Sequence, residues 1–347
     1  MSLDSTPKII TIKDIAQKFK CSPSTVSRAL NNHPLINIET RNTIQEYARR
    51  MGYQKNSVSL SLLNKSTKII GVILPNISHF HEAAMVNGLQ SVLQPLGYLV
   101  NICITNESQI LEKEYVERLL SNRVDAIFMS VSQETYDSKD HSHLEQILKR
   151  NIPLIFIDRE YDHFPAFGVT INDYQGAYRA TQHLIEVGCK RIAHLRGPKG
   201  LTVAEQRYKG YIDCLIDHRL PVNETLIAEA NFNIESGLMP TQYLLNLKDR
   251  PDGIFGVNDQ VCFGALKIIK EYALNVPTDI ALVGFDNSPI AEYFQPSLTS
   301  VKRQSKQIGT EAARLFIESL TSGSSSVSPQ NCVLDSELIV RDSSRRS

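Results

Sequence analysis

The sequence predicts an all-α helix-turn-helix head joined to an α/β body of two doubly wound, parallel-sheet lobes. Three observations lead there. Cap residues divide the first 55 residues into three short helices. Beyond Lys68, continuous apolar runs alternate with helical patterns in two successive series. Charge is also unevenly spread: 37 basic and 37 acidic residues balance over 347 positions, yet residues 1–65 hold ten Lys/Arg against four Asp/Glu. A basic head on an acidic body is the asymmetry expected where one end docks on a polyanion.

The length fits two or three compact units, and 42% hydrophobic residues supply an ordinary globular core. No run of about 18 apolar residues is present, so no membrane span and no membrane partner is expected. The opening Met-Ser-Leu-Asp-Ser-Thr-Pro-Lys lacks an apolar stretch after a basic one and is not read as a secretory leader. Six cysteines are scattered without a C-x-x-C pair, which argues against zinc and against a disulfide framework. The expected compartment is the cytoplasm.

In the head, Thr11 with Asp14 three residues later forms a capping-box pattern, and Ile12, Ile15, Ala16 and Phe19 share one face of a helix ending near Lys20. Ser22 caps a second helix with Pro23 at its first position and Val26, Ala29 and Leu30 inward. Asn37 caps a third, with Ile44, Tyr47, Ala48 and Met51 inward and Gly52 ending it. The second helix exposes Ser22, Ser24, Thr25, Ser27 and Arg28. Hydroxyls at a helix N-terminus suit phosphate oxygens, and an arginine can bind guanine bidentately in the major groove. Periodicity alone also fits a solvated polar face on a small helical domain.

The residue string decides between them. Thr11-Ile-Lys-Asp-Ile-Ala16, Ser22-Pro-Ser-Thr-Val-Ser-Arg-Ala-Leu-Asn31, Glu39-Thr-Arg41 and Gly52-Tyr53 closely resemble the head of the lactose/galactose repressor (LacI/GalR) family. The resemblance implies a transcriptional regulator binding near-palindromic operator DNA as a homodimer, or as a tetramer. It places Pro23, Ser24 and Arg28 at base-reading positions, within a contact set of Thr11, Ser22, Pro23, Ser24, Thr25, Ser27, Arg28, Asn31, Tyr53, Asn56, Ser59 and Leu62. One departure is Phe19-Lys20 where the family usually has Ala-Gly, so Lys20 is expected in a left-handed conformation.

The Ser- and Asn-rich segment Gln54–Thr67 reads as a linker, although Val58, Leu62 and Leu63 recur at helical spacing. By resemblance it is a hinge helix formed on DNA, with Leu62 as the wedge that enters the minor groove. Ser59, Leu60 and Leu63 depart from the family's usual small, polar or basic residues there.

In the body, strands are expected at Ile69–Leu74, Tyr98–Ile104, Asp125–Val131 and Pro153–Ile157, with helices over Ser108–Ser121 and Ser142–Arg150. The alternation restarts after Gly168–Ile171, with strands at Arg191–Arg196, Gly253–Val257 and Ile280–Gly284. Helices are expected over Tyr174–Val187, Val203–Ile216, Glu235–Leu247 and Gln260–Tyr272, and a surface loop at Thr321–Pro329 precedes a final strand at Cys332–Val340. Continuous apolar strands alternating with helices imply parallel sheets covered on both faces, with ligand in the crevice at the strand C-terminal ends.

Nothing in the body looks catalytic: no nucleophile elbow, phosphate loop, dinucleotide fingerprint or metalloprotease motif is found. His79-Phe-His81 and His141-Ser-His143 resemble metal pairs but lack a third ligand, so no metal and no cofactor is expected. A transporter's solute-binding protein would share this body but needs a leader and no basic head. An enzyme with a DNA-binding appendage needs a constellation that is not found.

The family resemblance continues through Arg191-Ile-Ala-His-Leu-Arg-Gly-Pro198, Arg207-Tyr-Lys-Gly210, Asn258-Asp259 and Val283-Gly-Phe-Asp286. It implies an effector domain similar to type I periplasmic sugar-binding proteins, with ligand contacts from Asp158, Arg159, Arg207, Phe232, Asn258 and Asp286. It also implies boundaries: a head at 1–56, a hinge at 57–67, and an effector-binding and dimerisation domain at 68–343. The first lobe would take about 68–167 plus 299–322, the second about 168–298 plus 323–343. Where the family often has Asn-Pro-Phe-Phe, this chain reads His79-Phe-His81-Glu82, adding His79, His81 and Glu82 to the ligand set. That exchange favours a polar or amino-bearing effector, a sugar or sugar derivative, over a nucleobase needing two aromatic rings. A nucleoside or another metabolite stays the alternative.

Overall fold

The computed structural model describes residues 10–53, 66–161, 163–321 and 331–346. The chain forms two compact units, Met1–Thr67 and Lys68–Ser347. Asn56, Ser59, Leu62 and residues 322–330, where a surface loop is expected, lie outside the described residues.

The head contains α1 (Ile12–Lys18), α2 (Pro23–Leu30) and α3 (Ile38–Arg50). Each starts on a side-chain cap. Asp14 N–H donates to Thr11 Oγ1 at 3.3 Å while Thr11 N–H donates to Asp14 at 2.8 Å, which closes a capping box. Ser22 Oγ accepts from Thr25 N–H at 3.1 Å, and Asn37 Oδ1 from Glu39 N–H at 2.8 Å. Ile15, Ala16, Val26, Ala29, Ile44 and Ala48 form the core, with Phe19 edge-on to Tyr47 at 5.4 Å. Met51, expected inward, is 48% exposed because it lies past the last turn of α3, where the helical face no longer tracks the core.

Lys20 has φ 47°, the left-handed conformation expected from its place in the turn. A β-carbon costs roughly 1 kcal/mol there. Lys20→Gly should therefore stabilise the head by about 1 kcal/mol and slow amide exchange at Val26 and Ala29 about fivefold. Unchanged exchange would show the turn to be unstrained.

The body holds two six-stranded sheets. In chain order its elements are β1 (Ile69–Leu74), α4 (Phe80–Leu93), β2 (Leu99–Ile104), α5 (Gln109–Ser121), β3 (Ala126–Met129), α6 (Gln133–Ser138), α7 (Ser142–Lys149), β4 (Leu154–Ile157) and β5 (Phe167–Ile171). The second series comprises α8 (Asp173–Glu186), β6 (Ile192–Arg196), α9 (Thr202–Asp217), β7 (Ile227–Glu229), α10 (Leu238–Leu245), β8 (Gly253–Gly256), α11 (Asp259–Glu271), β9 (Ala281–Asp286) and β10 (Thr299–Lys302). Helix α12 (Ser305–Thr321) and strands β11 (Asn331–Leu334) and β12 (Glu337–Ile339) follow.

The first sheet runs β11-β5-β4-β3-β1-β2 and the second β12-β10-β9-β8-β6-β7. Ignoring β11 and β12, both share one order, with the second strand outside the first. All pairs are parallel except β10 with β12. Among the described residues no helix is long and apolar enough to cross a membrane.

Three expectations need correction. Phe167–Ile171 does not open the second series: it pairs with β4 and closes the first sheet. Thr299–Lys302 pairs with β9, so it belongs to the second lobe and not the first. The single final strand at Cys332–Val340 is two strands, one in each sheet, broken at Asp335-Ser336. The chain thus crosses between lobes three times: from β5 to α8, from β10 to α12, and from β11 to β12.

Helices α4 and α12, both absent from the sequence reading, pack together over the first sheet. Phe316 of α12 stands edge-on to Tyr98 and Phe128 at 5.5 and 6.1 Å. The two helices meet through Gly88 and Gly309. A β-carbon on Gly309 would lie 2.0 Å from the Met85 carbonyl oxygen, and one on Gly88 would lie 2.1 Å from that of Lys306.

Candidate functional site

Two surfaces concentrate the candidate residues. On the head, Ser22, Pro23, Ser24, Arg28 and Asn31 are exposed along α2 and its end, while Thr25 and Ser27 are half-buried. Ser22 Oγ bonds to Ser24 Oγ at 2.7 Å and to Thr25 Oγ1 at 2.9 Å, so the hydroxyls form one cluster around the first turn. Arg28 stands exposed without an ion-pair partner among the described residues. Thr11 is exposed but spends its hydroxyl on the α1 cap, and Tyr53 is half-buried against the head core. Backbone donors and hydroxyls at a helix N-terminus can hold phosphates, and the exposed guanidinium of Arg28 in the last turn can read a base edge.

In the body, a cavity of about 230 Å³ opens between the lobes. Its walls come from loops at the C-terminal ends of strands in both sheets, as doubly wound sheets dictate. All nine candidate ligand residues line it: His79, His81 and Glu82 after β1, Asp158 and Arg159 after β4, Arg207 on α9, Phe232 after β7, Asn258 after β8, and Asp286 ending β9.

Asp158 and Asp286 occupy equivalent positions, each at the end of the fourth strand of its sheet. Both hold positive φ, 69° and 107° respectively, which non-glycine residues adopt at a cost. Arg303 joins them: its guanidinium bonds to Asp158, and its Nη1 donates to Asp286 at 3.2 Å. His81 completes the first-lobe side, with Nδ1 2.7 Å from Ser305 Oγ and Nε2 3.3 Å from Asp158. Burial, and then the charge of Arg303, push the His81 pKa well below its ordinary value, so the imidazole is neutral.

Arg207 anchors the second-lobe side. Its Nε donates to Asp173 at 2.8 Å, its Nη1 donates to the Val257 carbonyl at 2.6 Å, and it stacks 3.8 Å from the Phe285 ring centroid. Its Nη2 is buried with no partner among the described residues. Asp286 lies 3.9 Å from Nη1. Burial drives Asp286 well above the usual carboxylate range; Arg207 opposes this, while Asp259 and Glu82 add repulsion.

Two residues do different work from that expected. Asn258 caps α11 through its Oδ1, accepting from Val261 N–H at 3.0 Å, and donates from Nδ2 to the Phe232 carbonyl at 3.0 Å. It therefore positions Phe232 as well as facing the cavity. Arg159 donates to both Glu107 oxygens at 2.9 Å and lies 5.3 Å from the Phe232 ring.

The sequence reading missed Arg303, Glu107 and the amides of Asn76, Asn106, Asn231 and Asn233, all cavity residues. Asn76, Asn106 and Glu107 directly follow strands it had recognised, so the strand-end rule could have found them. Arg303 follows β10, a strand it had not recognised.

The histidine pairs diverge. His79 faces Glu82 while His81 faces Asp158, and His143 pairs with buried Glu112 at 2.8 Å while His141 lies 4.9 Å from the Tyr161 ring. Among the described residues no group of three or more His, Cys, Asp or Glu could hold a metal.

Residues 11–56 match the bacterial regulatory proteins of the lacI family, and residues 181–344 match a periplasmic binding protein-like domain. The chain is 33% identical over 311 residues to the ribose operon repressor of Halalkalibacterium halodurans, covering 89% of this chain and 90% of that one. It is 32% identical over 337 residues to the transcriptional regulator DegA of Bacillus subtilis, covering 96% and 97%. Among solved structures, the Lac repressor bound to ONPG in its repressed state superposes with TM-score 0.84 at 25% identity, covering 97% and 100%. The CelR regulator in complex with cellobiose gives TM-score 0.73 at 25% identity, covering 96% and 99%. With a matching head, a matching body fold and relatives that span nearly its whole length, the chain belongs to the LacI family, whose members are DNA-binding transcriptional regulators and not enzymes.

Proposed function

We propose that this regulator is a dimeric repressor whose head binds a near-palindromic operator and whose cleft takes a small, hydroxyl-rich effector. The observation that carries the effector assignment is the unpartnered, buried Nη2 of Arg207 in the cavity wall. A buried donor left unmade costs about 1–3 kcal/mol, which a ligand oxygen would recover. The surrounding carboxylates and amides offer paired acceptors and donors for vicinal hydroxyls, and Phe232 offers one apolar face. Phe232 is also the single Phe, Tyr or Trp among the described lining residues, whereas a nucleobase held between two large aromatic faces needs two. Relatives named for ribose, and a structural neighbour solved with cellobiose, fit the same ligand chemistry.

The test is a thermal-shift screen of sugars, amino sugars, sugar acids and nucleosides. A ligand of the folded state should stabilise by about 2.7 kcal/mol at a hundredfold excess over its Kd. The hit should change the affinity of the full chain for a duplex selected from random sequence. Its binding should be lost in Asp286→Asn, an isosteric change at a position 18% exposed at its side chain. A ligand that Asp286→Asn leaves untouched would place the effector elsewhere.

A further inference from the structure

Among the charged groups of the cleft, Glu82 stands apart. The cavity is lined by four carboxylates, Glu82, Glu107, Asp158 and Asp286, and by three guanidiniums, of Arg159, Arg207 and Arg303. Each guanidinium is already engaged by protein carboxylates: Arg159 by Glu107, Arg303 by Asp158 and Asp286, Arg207 by Asp173 with Asp286 nearby. Asp173 is not itself a lining residue, so Arg207 is partly spent outside the cavity. Glu82 is the carboxylate left over.

One of its two oxygens is left without a hydrogen bond among the described residues. Glu82 is 8% exposed, and its Oε2 is buried with no hydrogen-bond partner among the described residues. Its other oxygen lies 3.7 Å from His79 Nδ1, beyond a good hydrogen bond. Burial acts to raise the Glu82 pKa, but the neighbouring His79 outweighs it and holds it below the ordinary value, so the side chain is ionised. An acid in the first turn of a helix is favoured by the helix dipole, but that needs no burial, and an exposed glutamate would serve as well. Asp286, from the opposite lobe, faces the same cavity, and burial, with Glu82 contributing, holds its carboxyl well above the usual range.

We infer that the effector carries a protonated amine, which sits against Glu82 between the two lobes, while its oxygen atoms meet Arg207 Nη2. The class is an amino sugar or a similar hydroxyl-rich amine. This rests on the cleft being the effector site, and it names the group that the site selects. The amine brings a positive charge to Glu82 and donates to its Oε2. An anionic effector, such as a sugar acid or sugar phosphate, would bring a second negative charge against Glu82 instead.

Calorimetric titration of the full chain with matched pairs provides the test: D-glucose with D-glucosamine, D-galactose with D-galactosamine, D-mannose with D-mannosamine, and the N-acetyl form of each amine. A charge-assisted hydrogen bond in a desolvated site predicts that one amine binds about tenfold or more tightly than its hydroxyl and N-acetyl counterparts. Glu82→Gln should erase that preference. A neutral sugar binding as well as its amine, or a preference surviving in Glu82→Gln, overturns the amine assignment and leaves the cleft reading intact. Binding by no member of any pair overturns both readings.

Discussion

Arg207→Ala should destabilise the body by about 3–5 kcal/mol, the range seen when one partner of a buried ion pair is removed. The residue is 1% exposed, and Asp173 beside it is 5% exposed. Truncation leaves the Asp173 carboxylate buried and alone, the Val257 carbonyl without its donor, and an empty space over the Phe285 ring. Burial already raises the Asp173 pKa against the pull of Arg207, so the lone carboxyl would take up a proton in the folded state. The destabilisation should therefore grow as pH rises from acid to neutral, because the unfolded chain releases that proton at a lower pH. Replacing both partners, Asp173→Leu with Arg207→Met, should recover most of the loss. Urea unfolding at two pH values measures this, and a midpoint unmoved by Arg207→Ala would show the pair to be incidental. Loss of effector binding in this variant would accordingly say little about ligand contact, which is why Asp286→Asn is the cleaner probe of the cleft.

Gly309→Ala should cost about 3 kcal/mol, the upper part of the range for overpacking a tight interior. The added methyl would stand 2.0 Å from the Met85 carbonyl oxygen and 2.8 Å from the Leu89 nitrogen, both backbone atoms that cannot rotate away. Helix α12 would have to separate from α4, loosening Phe316 from Tyr98 and Phe128. Because α4 begins beside the cavity with His81 and Glu82, effector affinity should fall together with stability. Gly97→Ala is the control: its φ of 80° is left-handed but nothing lies within 4 Å, so only about 1 kcal/mol of backbone strain is expected. Equal melting temperatures for the two variants would remove the packing argument.

How far the fold could be read in advance depended on how local each signal is. Caps are local: Thr11, Ser22 and Asn37 stand within three residues of the amides they satisfy, and the head helices began where these residues place them. The left-handed Lys20 was equally local. Sheet membership is not. Gly168–Ile171 reads as a generic short strand and Thr299–Lys302 is absent from the sequence reading as a strand, and only pairing with β4 and β9 says which lobe owns them. Helix α4 was missed because eight of its residues are buried, from His81 through Leu93, so no amphipathic stripe marks it. The cleft residues emerged from a family resemblance combined with the strand-end rule, and they converge on one cavity. Arg303 escaped because a buried arginine is recognised by its partners, and Asp158 and Asp286 lie 145 and 17 positions away in sequence.

The segment 331–346 serves both lobes at once. Its first strand lies parallel to β5 and its second antiparallel to β10. Beyond them Ser343 bonds to Ser297, Leu282 and Thr299, and Ser344 Oγ lies 2.6 Å from Thr299 Oγ1. During synthesis, therefore, neither lobe can be finished ahead of the other. A nascent chain that has not yet released this segment carries two open sheet edges, the kind of surface that recruits chaperones or pairs with other chains. Domain-by-domain maturation on the ribosome is closed to this body; a prematurely terminated product keeps both edges bare and is marked for proteolysis in both halves together.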